Sequence, residues 1–404
     1  MGEWAGRGEW YCAWAWARLL GERGRREEAL EVLGPYLATG WWTAVEATAE
    51  LLEGWGRAEE AIEITRRRME AGHPTALPFY ACLLARNGRA QEAFTLLLPH
   101  IDDSLCAEAL VDVSGQAGHD NEAAALLAAR IPDGHHCDGP WCCRGLDPDT
   151  ALALLATVRE RQGRIDEAIT LLRRQETSLV NGRDQLADLL ARHDRITELR
   201  AYAAAVGRGH AARRLAELLE ERDDAEGALE VFRQAAGSTF QDPNSAFELA
   251  LLLARHGRGG EAIEVMRALA GTRPGEDWIL CALADLCLDQ NRPGDGLAHL
   301  DALTARRGGE EEWDLFRLRL PLIAAGTGVD EALDQARAHP EGDTSYVAWD
   351  IAGLLASAGR TGEAVALLQQ HSSANRHLLA SYLIDLGRVE EAVAVLRQVS
   401  PPGP

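Results

Sequence analysis

The sequence contains no lysine, so all 41 of its basic residues are arginines. A phosphate-binding loop, a Schiff-base site and a Ser-x-x-Lys nucleophile each need lysine, and these chemistries are therefore excluded. The motifs His-Glu-x-x-His and Gly-x-Ser-x-Gly are also missing, as is Gly-x-Gly-x-x-Gly after a strand, and no strand pattern would hold them. The sequence thus predicts a protein that is not an enzyme.

Long apolar runs and positive charge are scarce as well. No run is long enough to span a bilayer, and the start at residues 1–4 lacks the basic and apolar regions of a signal peptide. We therefore expect a cytoplasmic protein without membrane attachment. The formal charge of −22 argues against nucleic-acid binding, which needs basic groups against phosphates, and favours basic partners. The exclusive use of arginine is typical of a bacterial genome rich in G and C.

One stretch, Gly-Arg-x-x-Glu-Ala, recurs along the whole chain. Counted by their last residue, the copies and weaker versions end at Ala29, Ala61, Ala93, Ala123, Ala168, Leu199, Ala228, Ala262, Gly296, Ala332, Ala364 and Ala392. His119 replaces the arginine in one copy, and the copy at residues 326–332 carries an extra residue. Successive ends lie 28 to 36 residues apart, except for one spacing of 45. Such a period indicates a solenoid of twelve stacked units.

Each copy lies between two stretches that have small and apolar residues at helical spacing. The glycine can adopt the left-handed conformation that ends a helix, and the acidic residues after it suit the first turn of the next helix. The alanine lets two helices cross closely. The sequence therefore predicts an all-α chain of helix–turn–helix units.

This pattern resembles the tetratricopeptide repeat over nearly the whole chain. That family has a small residue seven before the turn glycine, an apolar one four before it, alanine five after and an apolar residue nine after. Three sets match: Ala250, Leu253, Gly257, Ala262, Met266; Ala352, Leu355, Gly359, Ala364, Leu368; and Ala380, Leu383, Gly387, Ala392, Leu396. The resemblance implies an α-solenoid, a right-handed superhelix of antiparallel helix–turn–helix repeats.

The predicted organisation has four parts, and three repeats depart from the pattern. Repeats 1–4 span residues 1–130, a loop insertion spans 131–148, repeats 5–12 span 149–399 and a flexible tail spans 400–404. Repeat 6 has Asp194 and Leu199 in place of the glycine and alanine, and repeat 9 has Asn291 and Gly296. We expect Pro321 to kink the first helix of repeat 10 or to displace its start.

Two regions of unusual composition leave alternatives open. Repeat 1 carries Trp10, Tyr11, Trp14 and Trp16, which would either cover the exposed end of the array or form a docking or self-association surface. The loop insertion gathers His135, His136, Cys137, Cys142 and Cys143. These side chains could bind zinc, form a redox-sensitive disulfide or belong to an ordinary surface loop. No other cofactor is predicted.

The resemblance also implies a concave groove lined by the first helix of each repeat, at positions thirteen, ten, six and three before the turn. This register predicts an acidic middle followed by an aromatic end: Glu46, Glu50, Glu53, Glu108, Asp112, Asp184, Asp188, Arg213, Glu217 and Glu220, then Phe247, Trp278, Trp313, Phe316, Tyr346 and Trp349. The family's carboxylate-binding clamp of Lys, Arg and Asn is absent. The acidic residues could instead be a solvated face, and the aromatic ones could pack between repeats.

The leading prediction is therefore a scaffold that binds a protein or peptide segment in this groove, through basic and aromatic-contacting side chains of that partner. A metal- or thiol-responsive regulator that uses the Cys/His loop is one alternative. A structural protein that associates with itself through repeat 1 is another.

Overall fold

The computed structural model describes residues 10–131, 145–174, 184–206, 209–237, 242–309, 311–342, 344–371 and 376–397. Within these ranges the regular elements are helices, which confirms the prediction of an all-α chain. The chain divides into two compact units, Met1–Arg195 and Ile196–Pro404, each described by itself. No helix in the described ranges is both long and apolar enough to cross a membrane.

The first unit consists of antiparallel helix pairs, in which each first helix packs on the second helix of its own repeat. Its helices are α1 (Trp10–Glu22), α2 (Arg26–Thr39), α3 (Trp42–Gly54), α4 (Ala58–Glu70), α5 (Ala76–Arg86), α6 (Ala90–Leu97), α7 (Ser104–Ala117), α8 (Asp120–Ala128), α9 (Pro148–Arg161), α10 (Ile165–Leu172) and α11 (Gln185–Arg192).

The second unit begins with a single helix and continues with pairs of the same kind. Its helices are α12 (Ile196–Val206), α13 (Gly209–Glu220), α14 (Ala225–Ala236), α15 (Pro243–Arg255), α16 (Gly259–Thr272), α17 (Asp277–Asp289), α18 (Pro293–Arg306), α19 (Trp313–Phe316), α20 (Arg319–Gly326), α21 (Val329–Ala338), α22 (Ser345–Ser357), α23 (Thr361–Gln370), α24 (Arg376–Asp385) and α25 (Val389–Arg397).

The turn between paired helices has the left-handed backbone that the glycine predicts. Gly56 has a φ of 77°, and the Arg57 N–H donates to the Leu52 carbonyl at 2.8 Å, which closes the end of α3. Where glycine is missing, the backbone is the same: Asp194, Asp223 and Asn291 have φ of 59°, 61° and 53°. The irregular repeats therefore keep the left-handed turn and change only the residue type. Aspartate and asparagine adopt this left-handed backbone more readily than most other residues do.

We expect Asn291→Gly to raise the free energy of unfolding by about 0.5–1 kcal/mol, because glycine removes the left-handed strain. Gln290→Gly is the matched control: Gln290 has a φ of −86°, so glycine there should destabilise. Denaturant unfolding of the full chain measures both. If Asn291→Gly is no more stable than Gln290→Gly, the turn position is not strained.

The alanine of the recurring stretch lies at a close crossing of helices. Ala61, Ala168 and Ala262 are among the copies with no exposed surface. In repeat 9 the equivalent Gly296 is also buried, and a Cβ added there would lie 2.8 Å from Cδ1 of Leu322. The side chain of Leu322 therefore fills the space that the alanine methyl occupies elsewhere.

The arginine of the stretch joins neighbouring repeats along their turns. Arg57 donates through Nε to Glu60 at 2.6 Å in its own helix and through a terminal nitrogen to Glu27 of the preceding repeat at 2.7 Å. Arg360 makes the same two contacts, with Glu363 at 2.7 Å and Asp330 at 2.6 Å. The arginine and glutamate of the motif thus form an ion pair with each other, and the arginine also binds an acidic residue of the preceding repeat.

His119, which replaces this arginine in repeat 4, preserves both contacts. Its Nδ1 lies 3.0 Å from Glu122, and its Nε2 lies 2.7 Å from Gln91 of the preceding repeat. The imidazole also stacks on Phe94, with ring centroids 4.5 Å apart. Histidine therefore substitutes for arginine here because a planar ring fits against Phe94.

Repeat 10 has a broken first helix, as Pro321 predicts. The chain is helical over α19, leaves the helix after Phe316 and becomes helical again at α20, with Pro321 in the first turn of α20, where proline is tolerated. Arg319 holds this break together, since it donates to Glu311 at 2.8 Å and to Asp301 at 2.5 Å.

Candidate functional site

The first helices of neighbouring repeats lie side by side in each unit. In the first unit, Arg86 and Asn87 at the end of α5 both donate to Glu53 of α3, at 3.0 Å each. Gln185 of α11 donates to Thr157 of α9 at 3.0 Å, and α7 packs on both α5 and α9. The exposed side of α3, α5, α7, α9 and α11 is called the first-helix surface of this unit.

A carboxylate three residues before the turn repeatedly joins two first helices. The hydrogen bond from Arg86 lowers the pKa of Glu53. Burial raises the pKa of Glu160, but hydrogen bonds from Arg192 and His193 outweigh this, and the net pKa is lowered. These carboxylates are ionised and bound within the array. Glu53, predicted to bind a partner, is therefore already engaged by the next repeat.

Four other predicted carboxylates make no ion pair in the part of the chain that the structure describes. They are Glu46 and Glu50 of α3 and Glu108 and Asp112 of α7, which we call the acidic face. Burial and then the charge of Glu50 raise the pKa of Glu46, and burial raises that of Asp112. The acidic face is thus a surface of four carboxylates, three exposed and one half-buried, that no direct ion pair neutralises in the described structure.

Cys82 of α5 lies between the two halves of the acidic face. Burial and then the charge of Asp112 raise the pKa of its thiol, so Cys82 is near α7. The nearby cation is Arg86, whose guanidinium is bound to Glu53. The strip of α5 between α3 and α7 therefore supplies no free positive charge to the acidic face.

The structure places Asp184 differently from the prediction. Its side chain has no exposed surface and accepts the Ala187 N–H at 3.2 Å, so that it caps α11. The register puts it on the groove because it assumes a full-length helix, but α11 begins only at Gln185. Asp188, one turn along, is half-buried.

The predicted polar residues of repeat 7 are paired within the second unit. Arg213 of α13 pairs with Glu248 of α15, and Glu217 pairs with Arg214 one turn before it. Glu220 accepts from Arg255 at 2.8 Å and contacts His256 Nε2 at 3.0 Å. This repeats the arrangement around Glu53 and Glu160, and it ties α13 to α15.

The predicted aromatic residues divide into buried and exposed groups. Trp313 is a correction: only 2% of it is exposed, and its indole N–H donates to Asp350 at 2.7 Å. Counting back from the turn fails here because the first helix of repeat 10 is broken between Phe316 and Arg319. Phe316, Trp349 and Phe247 are half-buried, whereas Trp278 and Tyr346 are 40% and 39% exposed.

Repeat 1 buries part of its aromatic content. The ring of Trp10 lies 5.3 Å from that of Tyr36 and 4.8 Å from that of Trp41, both edge-on. Tyr11 is 82% exposed, and Arg18 lies over the ring of Trp14 at 4.9 Å. Packing accounts for Trp10, and self-association through Tyr11 and its neighbours stays a prediction.

The Cys/His loop with His135, His136, Cys137, Cys142 and Cys143 lies outside the described residues. Zinc binding there stays a prediction. In the described ranges no three His, Cys, Asp or Glu side chains are grouped so that they could hold a metal ion.

The residues that sequence reasoning missed are the partners of the engaged carboxylates. Arg86-Asn87, Arg192-His193 and Arg255-His256 each occupy the last two positions before a turn, one repeat after the glutamate they bind. This recurring pair is visible in the sequence. It distinguishes Glu53, Glu160 and Glu220 from the carboxylates of the acidic face.

The sequence matches no protein-family model and no curated protein. Among solved structures, a chain in the structure of Naa15/Naa10 bound to HypK-THB is similar, with a TM-score of 0.52, 16% identity and 96% of this chain covered. This chain spans 63% of the length of that one.

Two further matches have TM-scores too low to support an argument. Yeast Tom70 has a TM-score of 0.29 and 11% identity, over 99% of this chain and 98% of that one. A tetratricopeptide repeat protein from Parabacteroides merdae ATCC 43184 has a TM-score of 0.27 and 14% identity, over 73% of this chain and 98% of that one. The chain has the fold of a tetratricopeptide-like helical solenoid. This is shown by its helix pairs, by their left-handed turns and by the similarity to the chain in the Naa15/Naa10 structure.

Proposed function

We propose that this chain is a non-catalytic scaffold that binds a segment of a partner protein, and that the acidic face receives basic side chains of that segment. One observation carries the proposal. Carboxylates of the first-helix surface that have an arginine in reach, such as Glu53 and Glu160, are paired, whereas the four of the acidic face are not. Paired carboxylates hold the array together, and unpaired ones are available to a ligand.

The chemistry favours arginine or lysine in the partner. A guanidinium or ammonium group forms charge-assisted hydrogen bonds with carboxylates, and these bonds are stronger where the carboxylate is partly shielded from water. The burial that raises the pKa of Glu46, which is half-buried, indicates such shielding. The net charge of −22 would also attract a basic partner and repel nucleic acid. A similar fold has been solved together with protein partners, in the structure of Naa15/Naa10 bound to HypK-THB. The cytoplasm remains the predicted location of this chain.

The test compares two variants with the same change of charge. The first neutralises the acidic face through Glu46→Gln, Glu50→Gln, Glu108→Gln and Asp112→Asn. The control neutralises four exposed carboxylates elsewhere that have no ion pair in the described structure: Glu22→Gln, Glu31→Gln, Glu312→Gln and Glu390→Gln. We expect proteins captured from host extract by the wild type to be retained by the control and reduced at least tenfold with the first variant. Equal retention by all three proteins would refute the proposal.

The pH dependence of capture provides a second readout of the same proposal. Because the pKa values of Glu46 and Asp112 are raised, each of these carboxylates loses its charge at a higher pH than an ordinary glutamate or aspartate, respectively, does. Binding should therefore be complete at neutral pH and decline as the pH falls through these raised values. The variant that lacks the acidic face should show no such decline in its residual binding.

A further inference from the structure

Two aromatic rings form a corner on α15 and α17, neighbouring first helices of the second unit. Phe247 of α15 and Trp278 of α17 stand at 89° to each other, with ring centroids 6.0 Å apart. Trp278 is 40% exposed and Phe247 is half-buried. In this edge-to-face contact the two rings pack on each other, so the aromatic surface open to a ligand is the exposed part of the Trp278 indole.

The polar edge of the indole is already satisfied. The Trp278 Nε1–H donates to Glu276 at 3.0 Å, and Glu276 also accepts from Arg273 at 3.2 Å. This contact fixes the orientation of the ring relative to the start of α17. What Trp278 offers to a ligand is therefore its π face, not its N–H group.

The charges near this corner that no ion pair neutralises in the described structure are negative. Asp285 and Asp289 lie two and three turns after Trp278 on α17, and the described structure gives neither of them an ion pair. Burial, and then the charge of Asp289, raise the pKa of Asp285. On the side of α15, the cation Arg213 is held by Glu248. An exposed π face beside unpaired carboxylates is an environment that attracts a cation.

The spacing defines the form of the ligand. Asp285 follows Trp278 by seven residues, which places both on one side of α17, roughly 10 Å apart along the helix axis. Three residues of an extended chain in the polyproline II conformation rise about 9 Å, and its side chains return to the same edge every three residues. A segment with two basic residues three positions apart can therefore place one cation at Trp278 and the other at Asp285.

We propose that the second unit binds an extended partner segment of the form Arg/Lys-x-x-Arg/Lys, with one cationic side chain against the exposed indole of Trp278, beside Phe247, and the other paired with Asp285. This inference rests on the proposed function, since it assigns a second, cation–π contact to a basic partner. It also separates the two units, because the acidic face lies entirely in the first.

The probe is a labelled peptide, Gly-Ala-Arg-Ala-Ala-Arg-Ala-Gly, titrated into the full chain and followed by fluorescence anisotropy. Two peptides serve as controls: one has citrulline, a neutral isostere, in place of both arginines, and one has a single arginine. We expect Trp278→Ala to weaken binding of the two-arginine peptide about fivefold and Trp278→Phe to weaken it less. Asp285→Asn should weaken that peptide but leave the single-arginine peptide unchanged.

Trp41→Ala is the matched control variant, because Trp41 is a similarly exposed tryptophan, at 44%, that lies just before α3 in the first unit and is not among the predicted groove residues. It should not affect binding. If the citrulline peptide binds as well as the arginine peptide, the corner accepts an apolar side chain and the inference is wrong. No binding to the wild type, or no effect of Trp278→Ala, would also overturn it.

The same peptide separates this inference from the proposed function. If neutralising the acidic face abolishes binding while Trp278→Ala does not change it, the proposed function stands and the cation site at Trp278 is refuted. If Trp278→Ala weakens peptide binding but the acidic-face variant still captures every partner, the cation site at Trp278 stands and the proposed role of the acidic face is refuted.

Discussion

Replacing Phe94 with alanine is expected to lower the free energy of unfolding by about 3–5 kcal/mol, one of the two largest effects we predict. The side chain of Phe94 is 1% exposed and lies in the core that the second and third helix pairs share with the fourth. Its removal loses the transfer free energy of a whole ring and leaves a cavity that the neighbouring helices close only in part. It also removes the platform on which His119 stacks at 4.5 Å.

Two observations check this expectation. Denaturant unfolding gives the loss in free energy, and hydrogen exchange should show that α6 and α8 lose most protection, since each repeat depends on its neighbours. Phe94→Leu retains most of the volume and should cost less than about 1.5 kcal/mol. If Phe94→Ala and Phe94→Leu are equally stable, the site collapses around the smaller side chain and the ring is not a structural requirement.

The fold could be predicted because its signals are local. A left-handed turn in each repeat requires Gly, Asn or Asp at one position, and the second helix of each repeat has acidic residues in its first turn. Even the break in repeat 10 follows from one residue, Pro321, whose ring cannot continue a helix. Such rules depend on residues close together in the sequence and need no knowledge of the contacts between neighbouring repeats.

The candidate site was harder to predict because pairing depends on residues one repeat away. Glu46 and Glu53 lie on the same helix and look alike in the sequence, yet only Glu53 has an arginine within reach, 33 residues later. The register also assumes regular helices. It fails at Asp184, which precedes a short helix, and at Trp313, which begins a broken one.

The second large effect concerns the small residue at the helix crossing. We expect Ala262→Leu to lower the free energy of unfolding by about 1–3 kcal/mol, because Ala262 has no exposed surface and lies in α16 where it packs on α15. A larger side chain must force these helices apart or adopt a strained rotamer. The alanine at this position is buried in every repeat that keeps it, from Ala29 to Ala392, with 0–1% of its surface exposed.

Ala268→Leu is the matched control, since Ala268 is an exposed residue of the same helix and leucine is nearly as good a helix former. It should change stability by less than about 0.5 kcal/mol. Thermal and denaturant unfolding of both variants measure the difference, and equal stability would mean that the crossing is loose. The comparison also tests why the stretch ends in alanine. Repeat 9 has Gly296 at this position because Leu322 fills the space, so Gly296→Ala should be tolerated better when Leu322 is shortened to valine, whereas no such rescue is available at Ala262.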